Sequence, residues 1–242
     1  MVRFVGLPVS ENDFTDDIYH KELARLRKPG ALADRLTEID RVKLFRRIYI
    51  MGCGRSGTWL LTDVMSTFDD VEVVKAELIV EHFGLFETDR STLILKRDSQ
   101  AYKTIKEIPA QIKIVYILRH PFDVLTSYLP VSQRPYHILP DRWLGEMSAL
   151  QYLSAAGRKD TKIIRFEDLV VRPFDLHADL ATFFNLKIAV PIDNVVKISK
   201  DTIGKHGREP DKIHYLQKIK PDLEPMLSWV ADTYQYDVSL PA

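Results

Sequence analysis

Tyr49-Ile-Met-Gly-Cys-Gly-Arg-Ser-Gly-Thr-Trp-Leu60 decides the fold of this chain. An apolar run ends on glycines, a helical pattern begins after them, and Arg55, Ser56 and Thr58 sit in the turn between. Glycine lets backbone approach an anion closely, the hydroxyls and the guanidinium add donors, and the free N–H groups of a new helix point at negative charge. The stretch therefore predicts a phosphate cradle and a phosphorylated nucleotide as its ligand.

Which nucleotide is a separate question. Gly52-x-Gly54-x-x-Gly57 satisfies the dinucleotide fingerprint, with Glu72 or Glu77 following at about the expected 20 residues. A triphosphatase loop fits worse, because Gly-Lys-Ser/Thr is missing and the basic residue precedes the serine. A second segment, Lys113-Ile-Val-Tyr-Ile-Leu-Arg-His-Pro-Phe-Asp-Val-Leu-Thr-Ser127, again runs from a buried-type strand into a helix start, with Pro121 at its first position. Arg119 falls at the strand end and Ser127 about two turns into the predicted helix, so a guanidinium and a hydroxyl converge on a second anion. Two anion sites in tandem predict a ligand with two separated phosphates.

Gly-x-Gly-Arg-Ser-Gly-Thr followed by Arg-x-Pro-x-Asp-x-x-x-Ser resembles the sulfotransferases that use 3′-phosphoadenosine 5′-phosphosulfate. Ile163-Ile-Arg-Phe-Glu-Asp-Leu169, with Pro173 behind it, resembles that family's Arg-Tyr-Glu-Asp-Leu segment, and Ser199-Lys-Asp-Thr-Ile-Gly-Lys205 is a looser likeness to its C-terminal nucleotide loop. The resemblance spans residues 46 to about 236. It implies that Gly54, Arg55, Ser56, Gly57 and Thr58 hold the 5′-phosphosulfate, and that Arg119, Ser127, Gly204 and Lys205 hold the 3′-phosphate. It also implies that Lys96 lies near the transferred group and that Glu77, 22 residues beyond Arg55, is the general base. Glu81 and His82 are the alternatives for that base. The phenol-modifying branch carries a histidine two residues after the lysine; Asp98 stands there, so the chain looks closer to the carbohydrate- and protein-modifying branches.

Composition is compatible with such an enzyme. The 242 residues suffice for one α/β domain with a full core, 45% of them being apolar. Thirty-four basic and 34 acidic residues cancel, so neither nucleic acid nor an anionic membrane is an expected partner. Cys53 is the one cysteine, which excludes an internal disulfide. With no secretory leader in the first residues and no uncharged run long enough to span a bilayer, the expected location is cytoplasmic. None of the seven histidines shows metal-ligand spacing, so no metal is expected.

Strand-like runs near 47–51, 72–75, 92–96, 113–118 and 161–165 alternate with helical patterns at 57–68, 143–156, 173–185 and 221–234. That alternation predicts a mainly parallel sheet with helices on both faces, in one domain over 1–242. Residues 1–45, with weak helical periodicity at 15–28 and 31–44, read as a helical extension, and 129–142 and 200–212 read as loops. Cys53 and His120 read as structural, and Glu167 and Asp168 as carboxylates that support the nucleotide lobe.

Three functions are thus in play: a sulfotransferase, a nicotinamide-dependent oxidoreductase built on the glycine fingerprint, and a nucleotide-binding protein without chemistry. Sulfuryl transfer needs positioning and stabilisation of developing charge, for which Arg55 is the best placed cation. The acceptor, whether small molecule, carbohydrate, lipid or peptide, is not written in the sequence.

Overall fold

Arg46–Met51 (β2) has no exposed residue, and neither Thr92–Arg97 (β5) nor Ile112–Leu118 (β6) presents one to solvent. Strands that are apolar on both faces belong in the interior of a parallel sheet covered on each side. The computed structural model, which describes residues 2–4, 16–129, 134–195, 200–204 and 209–240, shows that sheet. Val71–Leu78 (β3), β5, β2, β6 and Thr161–Arg165 (β7) lie in the order β3-β5-β2-β6-β7, each pair parallel. A short antiparallel ribbon joins Val2–Phe4 (β1) to Phe86–Thr88 (β4).

Alternate residues feed two cores. Tyr49, Met51, Leu93, Leu95, Ile114 and Tyr116 face the layer of Asp16–Leu26 (α1), Ala31–Val42 (α2), Pro140–Ala155 (α5) and Pro210–Tyr234 (α8). Ile48, Ile50, Ile94, Val115, Ile117 and Ile164 face Thr58–Met65 (α3), Phe166–Val171 (α6) and Pro173–Phe184 (α7). Each fully buried aliphatic side chain contributes roughly 1.5–3 kcal/mol, so both layers hold the sheet ends in place. The remaining α-helix among the described residues is Pro121–Leu125 (α4).

The five predicted strands all form, and the helices at 15–28 and 31–44 appear as α1 and α2. Four expectations need correcting. Pro221 does not open the last helix: α8 begins at Pro210 and carries Pro221 and Pro225 inside, because buried Leu216, Leu223, Leu227 and Val230 form one continuous apolar stripe. The loop read at 129–142 ends before Pro140, which opens α5, and Lys200–Thr202 forms a 3-10 turn within the predicted 200–212 loop. The helix at Pro121 stops at Leu125, so Ser127 lies just past its C-terminus and not two turns inside it.

The sheet order also bears on the dinucleotide reading. That fold sets the strand after the glycine loop beside the first strand. Here β5 separates β3 from β2, and Glu77 pairs with Lys96 of β5.

Gly52 fixes how the chain leaves β2. It adopts φ 148°, and a Cβ there would lie 2.4 Å from the backbone oxygen of Ile117 on β6. Backbone on both sides of the contact leaves nothing flexible to yield. Gly52→Ala is expected to lower the unfolding free energy by about 2–4 kcal/mol, read from urea titration; a loss below about 0.5 kcal/mol would contradict this packing.

Candidate functional site

The loop after β2 turns on local bonds. Ser56 donates both its backbone N–H (3.1 Å) and its hydroxyl (2.6 Å) to the Cys53 carbonyl, so its side chain closes the turn from inside. Gly57 takes φ 101°, with the Phe166 ring filling the space a side chain would need. The first helical bond of α3 runs from Leu61 N–H to the Gly57 carbonyl, which leaves the amides of Thr58, Trp59 and Leu60 in the unbonded first turn. The Cys53 thiol is buried, and that burial pushes its pKa well up, as a structural filler requires.

On the β6–β7 side of the loop lies a cleft of about 450 Å³ lined by Arg55, Arg119, Asp123, Ser127, Tyr128 and Phe166, among others. Arg55, at φ 70°, donates from Nε to the Ser127 hydroxyl at 2.9 Å. Arg119 donates to the Arg55 carbonyl (3.1 Å) and the Thr202 carbonyl (2.8 Å), and its guanidinium stacks 4.5 Å from the Phe166 ring centre. Its Nε is buried and has no hydrogen-bond partner among the described residues. Gly204 joins the same wall, donating its N–H to buried Asp123 at 2.9 Å; Lys205 lies outside the described residues. Glu167 braces the floor: it accepts from the His120 N–H (2.9 Å) and the Tyr236 hydroxyl (2.7 Å). His120 caps α4, accepting from the Phe122 N–H through Nδ1.

On the other side, at the ends of β3 and β5, Lys96 Nζ lies 2.8 Å from Glu77 Oε1. The register of β3 slips between Val74 and Glu77, and that irregularity brings Glu77 opposite Lys96. Lys96 is buried and Glu77 half exposed; burial lowers the lysine pKa, partly offset by the carboxylate. Trp59, half exposed, stacks 3.9 Å from the ammonium. The two alternatives for the base are engaged elsewhere. His82 bonds to Tyr19 through Nε2 and lies 3.0 Å from the Ile79 carbonyl through Nδ1, and Glu81 lies 3.8 Å from Arg27. Glu81 is also partly buried, which raises its pKa.

Sequence reasoning missed the residues 137–142 that pack against the loop. His137 donates its N–H to the Ser127 carbonyl (3.0 Å), and its Nδ1 is buried with no hydrogen-bond partner among the described residues. Burial, then the charges of Arg142, Arg55 and Arg134, lower its pKa. Ile138 packs on Gly54, where a Cβ would lie 2.8 Å from Ile138 Cδ1 and 3.5 Å from Arg142 Nη2. Behind Arg142, fully buried Glu146 lies 3.7 Å from it and 3.2 Å from Arg97. One signal was available: Glu146 shares a helical face with Trp143, Met147 and Leu150, and a carboxylate on an apolar stripe demands a partner.

No protein-family model matches the chain, and no curated sequence matches it. Solved structures do. The sulfotransferase domain from the curacin biosynthetic pathway superposes with a TM-score of 0.56 at 17% identity, over 82% of this chain and 99% of that domain. The sulfotransferase domain from the Synechococcus PCC 7002 olefin synthase superposes with a TM-score of 0.58 at 14% identity, over 81% and 96%. The chain therefore has the sulfotransferase fold. Among the described residues no helix is long and apolar enough to cross a membrane.

Burial raises the Glu146 pKa to about 7, against the opposing pull of Arg97 and Arg142. A carboxyl whose folded pKa exceeds its unfolded value favours folding at low pH, and that contribution fades as pH rises from about 4.5 to about 7. The span is worth on the order of 3 kcal/mol. Urea unfolding at pH 5 and pH 7.5 should show a fall in wild-type stability that Glu146→Gln reduces; equal slopes would contradict the assignment.

Proposed function

We propose that the protein transfers a sulfuryl group from 3′-phosphoadenosine 5′-phosphosulfate to a hydroxyl or amine acceptor by in-line displacement. The observation that carries this reading is Arg119, a half-buried guanidinium 3.9 Å from Asp123 whose buried Nε is unmatched in the cleft it shares with Arg55 and Ser127. A buried donor without a partner costs about 1–3 kcal/mol, and an anion at that position relieves it. The 3′-phosphate belongs there, with Ser127 and Gly204 beside it, while the first-turn amides of α3 take the 5′-phosphate.

The donor supplies an activated sulfur–oxygen bond to phosphate. As that bond breaks and the acceptor forms a new bond to sulfur, Arg55 stabilises charge on the departing oxygen and Lys96 on the sulfuryl oxygens. Glu77 takes the acceptor proton. Its pairing with Lys96 supports this role, since an ammonium drawn to the sulfuryl group releases the carboxylate for the proton. The same pair beside the loop favours chemistry over nucleotide binding alone. The acceptor is a small molecule, carbohydrate, lipid or peptide.

Calorimetry with adenosine 3′,5′-bisphosphate in the absence of Mg²⁺ tests the donor site. Wild type should bind it, and Arg119→Ala should bind it about 10–150-fold more weakly, the equivalent of losing roughly 1.5–3 kcal/mol of charge-assisted bonds. Binding of NAD with no binding of the bisphosphate would overturn the reading. Glu77→Gln should leave bisphosphate affinity nearly intact and cut turnover by roughly 10²–10⁴, measured by single-turnover transfer from labelled donor once an acceptor is found. A mutant with wild-type turnover would remove Glu77 from the base role.

A further inference from the structure

Among the described residues, Arg142 lies beside the loop and belongs to neither motif. It sits in the first turn of α5, and its guanidinium reaches back over Gly54, the residue just before Arg55. Its position is held from behind. Nη2 donates to the Ser99 carbonyl at 3.3 Å, beyond the end of β5, and Glu146, one turn further along α5, lies 3.7 Å away. Glu146 is shared with Arg97, the last residue of β5, so two guanidinium groups face one buried carboxylate, with the Asp98 carboxylate also acting on the cluster. The Nε of Arg142 is buried without a hydrogen-bond partner among the described residues. A guanidinium held over the Gly54 backbone with a buried donor left unmatched is the local chemistry of a site for an anion.

The sheet order says which part of the anion. The cleft of Arg119 and Ser127 lies on the β6–β7 side of the loop, whereas Ser99, Arg97, Lys96 and Glu77 lie at the ends of β5 and β3. A ligand whose phosphate rests on the first turn of α3 and whose nucleoside end lies in the cleft directs its other end toward Lys96, beneath Arg142. We infer that Arg142 binds the sulfuryl group of the donor from the side opposite Arg55, with Glu146 and Arg97 as its positioning residues. This rests on the sulfotransferase reading. The groups that surround the place are Arg55, Lys96, Glu77 and His137, the last ringed by Arg55, Arg134 and Arg142. A sulfuryl group there meets a wall that is cationic on balance, and loss of Arg142 removes a contact that the desulfonated nucleotide never makes.

The test needs no acceptor. Calorimetric titration of wild type, Arg142→Gln and Arg142→Lys with 3′-phosphoadenosine 5′-phosphosulfate and with adenosine 3′,5′-bisphosphate gives an affinity ratio for each protein. In Arg142→Gln the phosphosulfate should weaken by about 10-fold or more while the bisphosphate changes less than about 3-fold, and Arg142→Lys should fall between. Retained bisphosphate binding doubles as the control for folding. An unchanged ratio in Arg142→Gln overturns this inference and leaves the sulfotransferase reading standing. A wild type that binds neither nucleotide overturns that reading itself. Equal weakening of both nucleotides overturns the assignment to the sulfuryl group and moves Arg142 to the 5′-phosphate.

Discussion

The contact between Gly52 and the Ile117 carbonyl is the constraint on which the site depends. It presses the chain leaving β2 against β6, so the loop turns immediately and α3 starts over the ends of the central strands. The same closeness puts Arg119, the residue that follows β6, under the loop, where it donates to the Arg55 carbonyl. Phe166, at the start of α6, then meets both partners: its edge fills the space beside Gly57 and its face carries the Arg119 guanidinium. Glycine at 52 and 57 is thus demanded by protein packing, and the geometry of the proposed anion site follows from that packing.

Strand order divides the labour. With β2 in the middle, its loop has β6 and β7 on one flank and β5 and β3 on the other. The first flank gathers Arg119, Ser127 and Gly204, and the second gathers Lys96, Glu77 and Arg142. A ligand laid across a switch point of this kind touches both flanks, which is why open α/β sheets bind at the carboxyl ends of their strands. Lys96 with Glu77, and Arg97 with Glu146, pair within the protein; Arg119, 3.9 Å from Asp123, and Arg142, 3.7 Å from Glu146, each also keep an Nε without a hydrogen bond beside the loop.

The sheet was legible because its strands are short apolar runs that tertiary context had no reason to redirect; Lys113 to Leu118 reads as a strand and forms one. The turn of the loop and the place of Arg119 beneath it were legible because both follow from backbone shape and chain order. The full length of α8 was hidden by Pro221, a residue that normally opens or ends a helix and here yields to a long buried stripe. Ser127 lies beside Arg55 although its expected helix was too long, since that position comes from the chain reversal after Leu125. His137 and Arg142 belong to no motif. Their neighbours are set by how α5 packs on the sheet end, which a single sequence does not encode in any local spacing.

A crystal structure with adenosine 3′,5′-bisphosphate tests the central claim most directly. The account predicts the 5′-phosphate on the amides of the first turn of α3 and the 3′-phosphate within hydrogen-bond distance of Arg119 and Ser127, with the Arg119 Nε no longer unmatched. A nucleotide bound elsewhere, or one whose 3′-phosphate faces Lys96 and Glu77, would contradict it.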